Sequence, residues 1–222
     1  MDKVLPWIQT YSGKKFDLLN PTPESISIFD IAHALSNICR YTGHTKEFYS
    51  VAQHSVLASV NVPPKDALAG LLHDATEAYL TDISKPLKML LPEYCKLEDK
   101  IYKIIAAKFG LPAELPASVK EADLRLLATE KRDLLEKEPD EWTILNDVRC
   151  YPDKITPWTP EEAKKQFLVA YTIYKEVIEA CSLKIEPVYL NIPVNKTEHG
   201  FVIGKPKDGM SFAVNEFIKS KN

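Results

Sequence analysis

Apolar residues recur at intervals of three and four along most of the first 182 residues, and this spacing constrains the fold more than any other feature. In the first such stretch the apolar positions are Ile28, Ile31, Ala32, Leu35, Ile38 and Cys39. Similar patterns predict further helices at about 46–60, 65–79, 93–109, 119–136 and 160–182. Because each amphipathic helix must bury its apolar face against other helices, the sequence predicts an all-α bundle.

The two ends of the chain follow a different pattern from this helical body. Residues 4–19 alternate around Ser12-Gly13, which predicts a short N-terminal hairpin. From 183 onward the chain alternates again, and glycine becomes more frequent. We therefore expect one helical domain over 1–182. Residues 183–222 are predicted to form an extension with β character, packed on the core or on a neighbouring subunit.

Charge and composition exclude several classes of partner. The chain of 222 residues has 28 basic and 31 acidic residues, so its net charge is −3. A weakly acidic protein has no general attraction for nucleic acid or for an anionic membrane, and neither is expected as a partner. The sequence contains no apolar run of about 18 residues, no signal-peptide pattern and no C-x-x-C pair, which together predict a cytoplasmic protein.

The dipeptide His73-Asp74 is the strongest chemical signal in the sequence. It stands near the end of an apolar helical pattern, and Glu77 follows three residues after Asp74. Together with His54, these side chains form a mixed nitrogen and oxygen set suited to a divalent metal such as Mn²⁺, Co²⁺, Mg²⁺, Zn²⁺ or Fe²⁺. The spacing alone fits a second interpretation equally well, a core histidine beside a carboxylate that caps a helix.

Longer motifs around these residues extend the pattern. They read Asp30-Ile-Ala-His-Ala-Leu-Ser, Cys39-Arg-Tyr-Thr-Gly-His-Thr, Tyr49-Ser-Val-Ala-Gln-His-Ser-Val, His73-Asp-Ala-Thr-Glu-Ala-Tyr-Leu-Thr-Asp-Ile-Ser-Lys-Pro-Leu-Lys and Glu121-Ala-Asp-Leu-Arg-Leu-Leu-Ala-Thr-Glu. With Asp123 as the last member, the order H…HD…D resembles the HD-domain metal-dependent phosphohydrolases over about residues 5–182. The motifs are most similar to the small HD 5′-deoxynucleotidase branch and its phage-type relatives, which include dATP triphosphohydrolases of phages that replace adenine with diaminopurine.

The resemblance implies a single divalent metal ion and an acid–base residue. The ligands of this metal ion would be His54, His73, Asp74 and Asp123. Glu77 matches the acidic residue that activates the attacking water or protonates the leaving oxygen. The implied fold is an HD-domain helical bundle over 1–182.

The resemblance also implies a set of substrate contacts. Arg40 matches an arginine that holds the phosphate, and Asp82 matches a residue that contacts the deoxyribose hydroxyl. Tyr41 stands where the nucleotidase branch often has a tryptophan that crowds the ribose 2′ position. His44, Lys85 and Lys88 are further candidates for contacts with phosphate groups.

The function implied by the resemblance is hydrolysis of the 5′-phosphoester of a deoxynucleotide at the α-phosphorus, which releases the deoxynucleoside. We expect a deoxynucleoside triphosphate, with dATP preferred, and a homo-oligomeric enzyme. The alternatives are a 5′-deoxynucleotidase acting on monophosphates, a non-catalytic HD nucleotide-binding module and an HD phosphodiesterase acting on cyclic nucleotides or alarmones.

Overall fold

The computed structural model describes residues 6–138, 140, 142–182, 194–197 and 200–203. Within these residues the α-helices are α1 Ile28–Asn37, α2 Val51–Val60, α3 Ala67–Leu72, α4 Glu77–Leu80, α5 Lys85–Lys88, α6 Pro92–Phe109, α7 Ala117–Leu134 and α8 Pro160–Ser182. The strands are β1 Trp7–Gln9, β2 Lys15–Asp17, β3 Val194–Thr197 and β4 Gly200–Ile203. The prediction of an all-α bundle with a short N-terminal hairpin is confirmed.

Helix α2 is the central element of the bundle. It is buried on almost every side, and α1, α3, α7 and α8 pack around it. Its composition explains this position, because Val51, Ala52, Val56 and Ala58 leave no continuous polar face for solvent. The helix that carries His54 is therefore held by four neighbours.

Two predicted helices begin or end elsewhere in the structure. Helix α2 begins at Val51 rather than near 46, where the Ser50 side chain caps it by accepting a hydrogen bond from the Gln53 amide. The predicted helix at 65–79 is broken after Leu72, and residues 73–76 form tight turns before α4. The prediction of one continuous helix through His73, Asp74 and Glu77 was therefore wrong.

Both predicted β segments contain a hairpin. Strand β1 pairs antiparallel with β2, with Ile8 opposite Phe16, whose side chain is fully buried in the core. Strand β3 pairs antiparallel with β4, in agreement with the β character predicted for the extension. The remainder of the predicted extension, 183–193, 198–199 and 204–222, lies outside the described residues, and the domain boundary at 182 stays a prediction.

Across the part of the chain that the structure describes, no helix is both long and apolar enough to cross a bilayer.

Candidate metal centre

His54 and His73 lie inside the bundle with their imidazole rings close together. His54 is in the middle of α2 and fully buried, and His73 directly follows the last residue of α3. Their Nε2 atoms are 3.2 Å apart. Two ring nitrogens at this distance need a hydrogen or a cation near both, because two facing lone pairs repel each other.

The second nitrogen of each ring is hydrogen-bonded to an acceptor, which fixes its tautomer. His73 Nδ1 donates to the carbonyl oxygen of Gly70 at 2.8 Å, and a carbonyl oxygen can only accept. His54 Nδ1 donates to the carboxylate of Glu130 at 2.6 Å. In its neutral form each ring would therefore present an unprotonated Nε2 to the same space, as metal-binding histidines do when the other nitrogen is held in this way.

Asp74 and Asp123 bring carboxylate oxygens to the two Nε2 atoms. The Oδ1 atom of Asp123, on α7, lies 3.1 Å from His54 Nε2 and 3.9 Å from His73 Nε2. The Oδ2 atom of Asp74 lies 3.2 Å from His73 Nε2 and 3.6 Å from His54 Nε2. Ligand atoms of His54, His73 and Asp123 all lie within 4.8 Å of one another. Three of the four predicted ligands therefore lie close enough together to hold one ion, and Asp74 approaches both histidines from its own side. Two imidazole nitrogens with carboxylate oxygens are ligands that suit a first-row divalent ion. Asp74 as the fourth ligand stays a prediction.

The pKa values of the histidine and aspartate side chains in the cluster show that it favours positive charge on the histidines. Burial lowers the pKa of His73, but the charge of Asp74 and the hydrogen bond to it outweigh burial and raise this pKa to about 9. Burial favours neutral Asp74, yet the charge of His73 lowers the pKa of Asp74 far below its usual range. Burial likewise disfavours ionised Asp123, whose pKa is lowered to about 2 by its hydrogen bond with His54. A divalent ion would supply this positive charge in place of a proton.

Glu130 was not singled out from the sequence, although it lies at the base of the cluster. It is fully buried on α7, seven residues after Asp123, and two helical turns place both carboxylates on one face. That spacing is the sequence signal that identifies it. Its carboxylate contacts four side chains, namely His54 (2.6 Å), Tyr41 (2.6 Å), Tyr49 (2.9 Å) and Arg40 (3.3 Å).

Arg40 lies beside the cluster in the turn between α1 and α2. Its Nη1 atom is 3.4 Å from Asp74 Oδ2, and its Nε atom is buried without a hydrogen-bond partner among the described residues. The next two residues, Tyr41 and Thr42, have φ values of 54° and 51°, which non-glycine residues seldom adopt. Such backbone costs about 1–3 kcal/mol per residue and persists where the surroundings fix the segment, as they do at functional sites.

Glu77 is the buried acid next to the cluster. It is the first residue of α4, and its Oε2 atom is buried without a hydrogen-bond partner among the described residues. Burial raises the pKa of Glu77 well above its usual range, and the charges of Asp74 and Asp82 raise it further. These effects outweigh the ammonium of Lys88, which lies 3.5 Å from Oε1. Glu77 is therefore suited to hold a proton near neutral pH.

Asp82 follows a strained residue at the end of α4. Burial is the main cause that raises the pKa of half-buried Asp82. The preceding residue, Thr81, has φ 67° and ψ 158°, a conformation almost restricted to glycine, and its carbonyl accepts a hydrogen bond from the Tyr94 hydroxyl at 2.8 Å. A hydrogen bond therefore holds the backbone directly before Asp82 in this conformation.

The remaining predicted phosphate contacts differ in their surroundings. Lys88 is tied to Glu98 on α6 at 2.7 Å as well as to Glu77. Lys85 and His44 are exposed, and for neither does the described part of the chain show a side-chain partner. Their contacts with phosphate stay predictions.

The chain was compared with families and proteins already described. No family model matches it. The uncharacterized Escherichia coli protein YfdR is 44% identical over 174 residues, which is 78% of this chain and 98% of YfdR. An uncharacterized protein of Rhodobacter capsulatus is 41% identical over 126 residues, which is 52% of this chain and 64% of the relative. The chain therefore belongs to the same protein family as YfdR.

Proposed function

We propose that the protein is an HD-type metal-dependent phosphohydrolase that cleaves the 5′-phosphoester of a deoxynucleotide at the α-phosphorus. The observation that carries the proposal is the convergence of His54, His73, Asp74 and Asp123, with both Nδ1 atoms already hydrogen-bonded. A core histidine beside a capping carboxylate would not need a second histidine and a second carboxylate within 4 Å of its Nε2 atom. A divalent ion held there would polarise a phosphoryl oxygen and acidify a bound water.

Arg40 is the residue proposed to bind the phosphate group. Its guanidinium is planar and permanently charged, and it lies against Asp74 and Glu130 at the edge of the cluster. Its contact distances of 3.3–3.4 Å are long for charge-assisted hydrogen bonds, which leaves its N–H groups able to bind a phosphate oxygen as well. In this position Arg40 would offset the negative charge that develops during phosphoryl transfer.

Glu77 is proposed to be the general acid of the reaction. Its raised pKa and its buried, unpartnered Oε2 atom suit a carboxylic acid that donates a proton to the leaving 5′-oxygen. Lys88 lies against its other oxygen and would favour the carboxylate once the proton has been given up. The non-catalytic alternative is less favoured, because a buried acid with a raised pKa is characteristic of a reacting group.

The sugar is proposed to lie between Asp82 and Tyr41. Asp82, on its fixed backbone, would accept a hydrogen bond from the 3′-hydroxyl. The hydroxyl of Tyr41 is occupied by Glu130 at 2.6 Å, so only the ring of Tyr41 is available to crowd the 2′ side. Deoxyribose would thus be preferred through the shape of the site rather than through a hydrogen bond to the 2′ position.

A deoxynucleoside triphosphate, with dATP preferred, remains our proposed substrate, and one observation favours a second candidate. Three side chains were predicted as further phosphate contacts, namely His44, Lys85 and Lys88. Lys88 is held by Glu98 and Glu77, so among the described residues only Lys85 and His44 of this set lack such partners. Fewer available cations favour a monophosphate, the substrate of a 5′-deoxynucleotidase. We further propose that the enzyme is a cytoplasmic homo-oligomer.

Product analysis tests the function directly. The protein, stripped of metal and reloaded with Mn²⁺, Co²⁺, Mg²⁺, Zn²⁺ or Fe²⁺, is incubated with each dNMP, dNTP and rNTP, and the products are separated by chromatography. We expect deoxyadenosine and intact triphosphate from dATP. Metal binding without any phosphohydrolysis would instead support the non-catalytic HD module.

A further inference from the structure

The carboxylate of Glu130 accepts three hydrogen bonds and forms one ion pair. Oε1 accepts from His54 Nδ1 at 2.6 Å and from the Tyr49 hydroxyl at 2.9 Å. Oε2 accepts from the Tyr41 hydroxyl at 2.6 Å and lies 3.3 Å from Arg40 Nη2. An ionised carboxylate has about four lone-pair sites and donates nothing. Three of these sites accept hydrogen bonds, and the guanidinium of Arg40 lies beside the fourth.

Two of these four donors belong to different parts of the proposed site. His54 is a proposed metal ligand, and Arg40 is the proposed phosphate-binding residue. Glu130 contacts both from a position with no solvent exposure. Asp74 also lies near both, 3.6 Å from His54 Nε2 and 3.4 Å from Arg40 Nη1, but it is itself a proposed metal ligand. Glu130 is also joined to the proposed metal site through its own helix, because α7 carries the proposed ligand Asp123 two turns earlier on the same face.

We propose that Glu130 is a positioning residue that sets the His54 tautomer for metal binding and orients Arg40 for phosphate binding. This inference rests on the proposed function. Glu130 itself touches neither metal nor substrate, and it acts through two residues that do. Because one carboxylate holds both, loss of its charge weakens the metal site and the phosphate site together.

Neither close substitute can reproduce this arrangement. In Glu130→Gln an amide nitrogen replaces one oxygen, so two of the four donors face N–H groups instead of an acceptor. In Glu130→Asp the side chain is one methylene shorter and cannot reach all four donors across 2.6–3.3 Å contacts. Glu136→Gln is the matched control, because Glu136 lies just beyond α7 and its side chain is 85% exposed.

The test measures metal and phosphate binding separately from activity. Calorimetry of the metal-free protein with Mn²⁺ gives the metal Kd, and inorganic phosphate is titrated into the metal-loaded form. We expect Glu130→Gln to weaken metal binding by roughly 10- to 100-fold, the usual effect of losing a partner of a metal-binding histidine, and to weaken phosphate binding as well. Glu136→Gln should change neither.

A second measurement does not depend on whether the variant folds. In the wild-type metal-free protein, ¹⁵N NMR of the imidazoles reports which nitrogen of His54 carries hydrogen. A bonded hydrogen on Nδ1 supports the inference, and a neutral ring with its hydrogen only on Nε2 overturns it. Unchanged metal and phosphate affinities in a folded Glu130→Gln protein would also overturn it. A wild-type protein that binds no metal would refute the proposed function itself.

Discussion

His54 Nε2 and Asp123 Oδ1 lie 3.1 Å apart, although their residues are 69 positions apart in the chain and belong to helices α2 and α7. The contact joins the central helix to the helix that also carries Glu130. A histidine with its Nδ1 held by one carboxylate and its Nε2 directed at another is arranged as a metal ligand with its supporting residue.

Removing the Asp123 carboxylate should abolish metal binding. For wild-type protein with metal at 100 times its Kd, binding should add about 2.7 kcal/mol to the free energy of unfolding. Asp123→Ala should lose this metal-dependent increase in melting temperature, together with activity. Glu121→Ala is the control, because Glu121 is exposed on the same helix. If Asp123→Ala bound metal as wild type does, the proposed ligand set would be wrong.

Glu77→Gln should keep the metal and lose turnover. The substitution preserves the size of the side chain but removes its ability to donate and recover a proton. We expect kcat to fall by roughly two to four orders of magnitude, the typical contribution of a general acid or base. Metal content, measured by elemental analysis, should stay at the wild-type level. Loss of metal in this variant would make Glu77 a ligand and contradict its role as acid.

Gly70→Ala should disturb both the bundle and the histidine pair. A Cβ atom at Gly70 would lie 3.0 Å from the Cα of Ser59, so α3 and α2 would have to move apart. The carbonyl of Gly70 also fixes the His73 tautomer, which makes this contact part of the site. We expect a loss of about 1–3 kcal/mol in the free energy of unfolding and weaker metal binding.

A stabilising effect of Gly70→Ala would contradict this close approach of the two helices. In an exposed helix, replacing glycine by alanine stabilises the helix by up to about 1 kcal/mol. A Gly70→Ala protein that is more stable in urea and binds metal normally would show that the two helices do not approach as closely as described.

The helical framework and the ligand cluster were predictable from the sequence to different degrees. Helices α6, α7 and α8 follow their apolar spacing closely, because each keeps one continuous buried face. The break between α3 and α4 was missed, since the apolar pattern continues through Ala75 while the chain turns at His73. Glu130 was missed because its four partners come together only when the turn after α1 packs against α7.

Stability at acidic pH should depend on Asp133, away from the metal centre. Partial burial opposes its ionisation, but hydrogen bonds from Arg132 and from the Ile155 amide lower the pKa of Asp133 below its usual value of 3.8. Its folded-state pKa is thus below the unfolded one. The stabilisation is therefore fully present above pH 3.8 and is lost as the pH falls through the folded-state pKa.

Urea unfolding of the metal-free protein as a function of pH tests this behaviour. Asp133→Asn should be less stable than wild type near neutral pH and should lose less additional stability on acidification. Glu136→Gln, at an exposed site near the end of the same helix, should follow the wild-type curve. If the free energies of unfolding of Asp133→Asn and wild type changed in parallel with pH, the carboxylate would contribute no pH-dependent stability.

The number of phosphates on the substrate should be decided by two lysines of α5 in different surroundings. Lys85 is exposed, whereas Lys88 is held by Glu98 and Glu77. If dATP is the substrate, Lys85→Met should raise the KM for dATP by roughly tenfold, as expected for one charge-assisted contact, and leave dAMP hydrolysis unchanged. Lys88→Met should impair both substrates alike, because it acts through Glu77. Lys96→Met, exposed on α6, is the control. Turnover of dAMP with dATP left intact would identify a 5′-deoxynucleotidase instead.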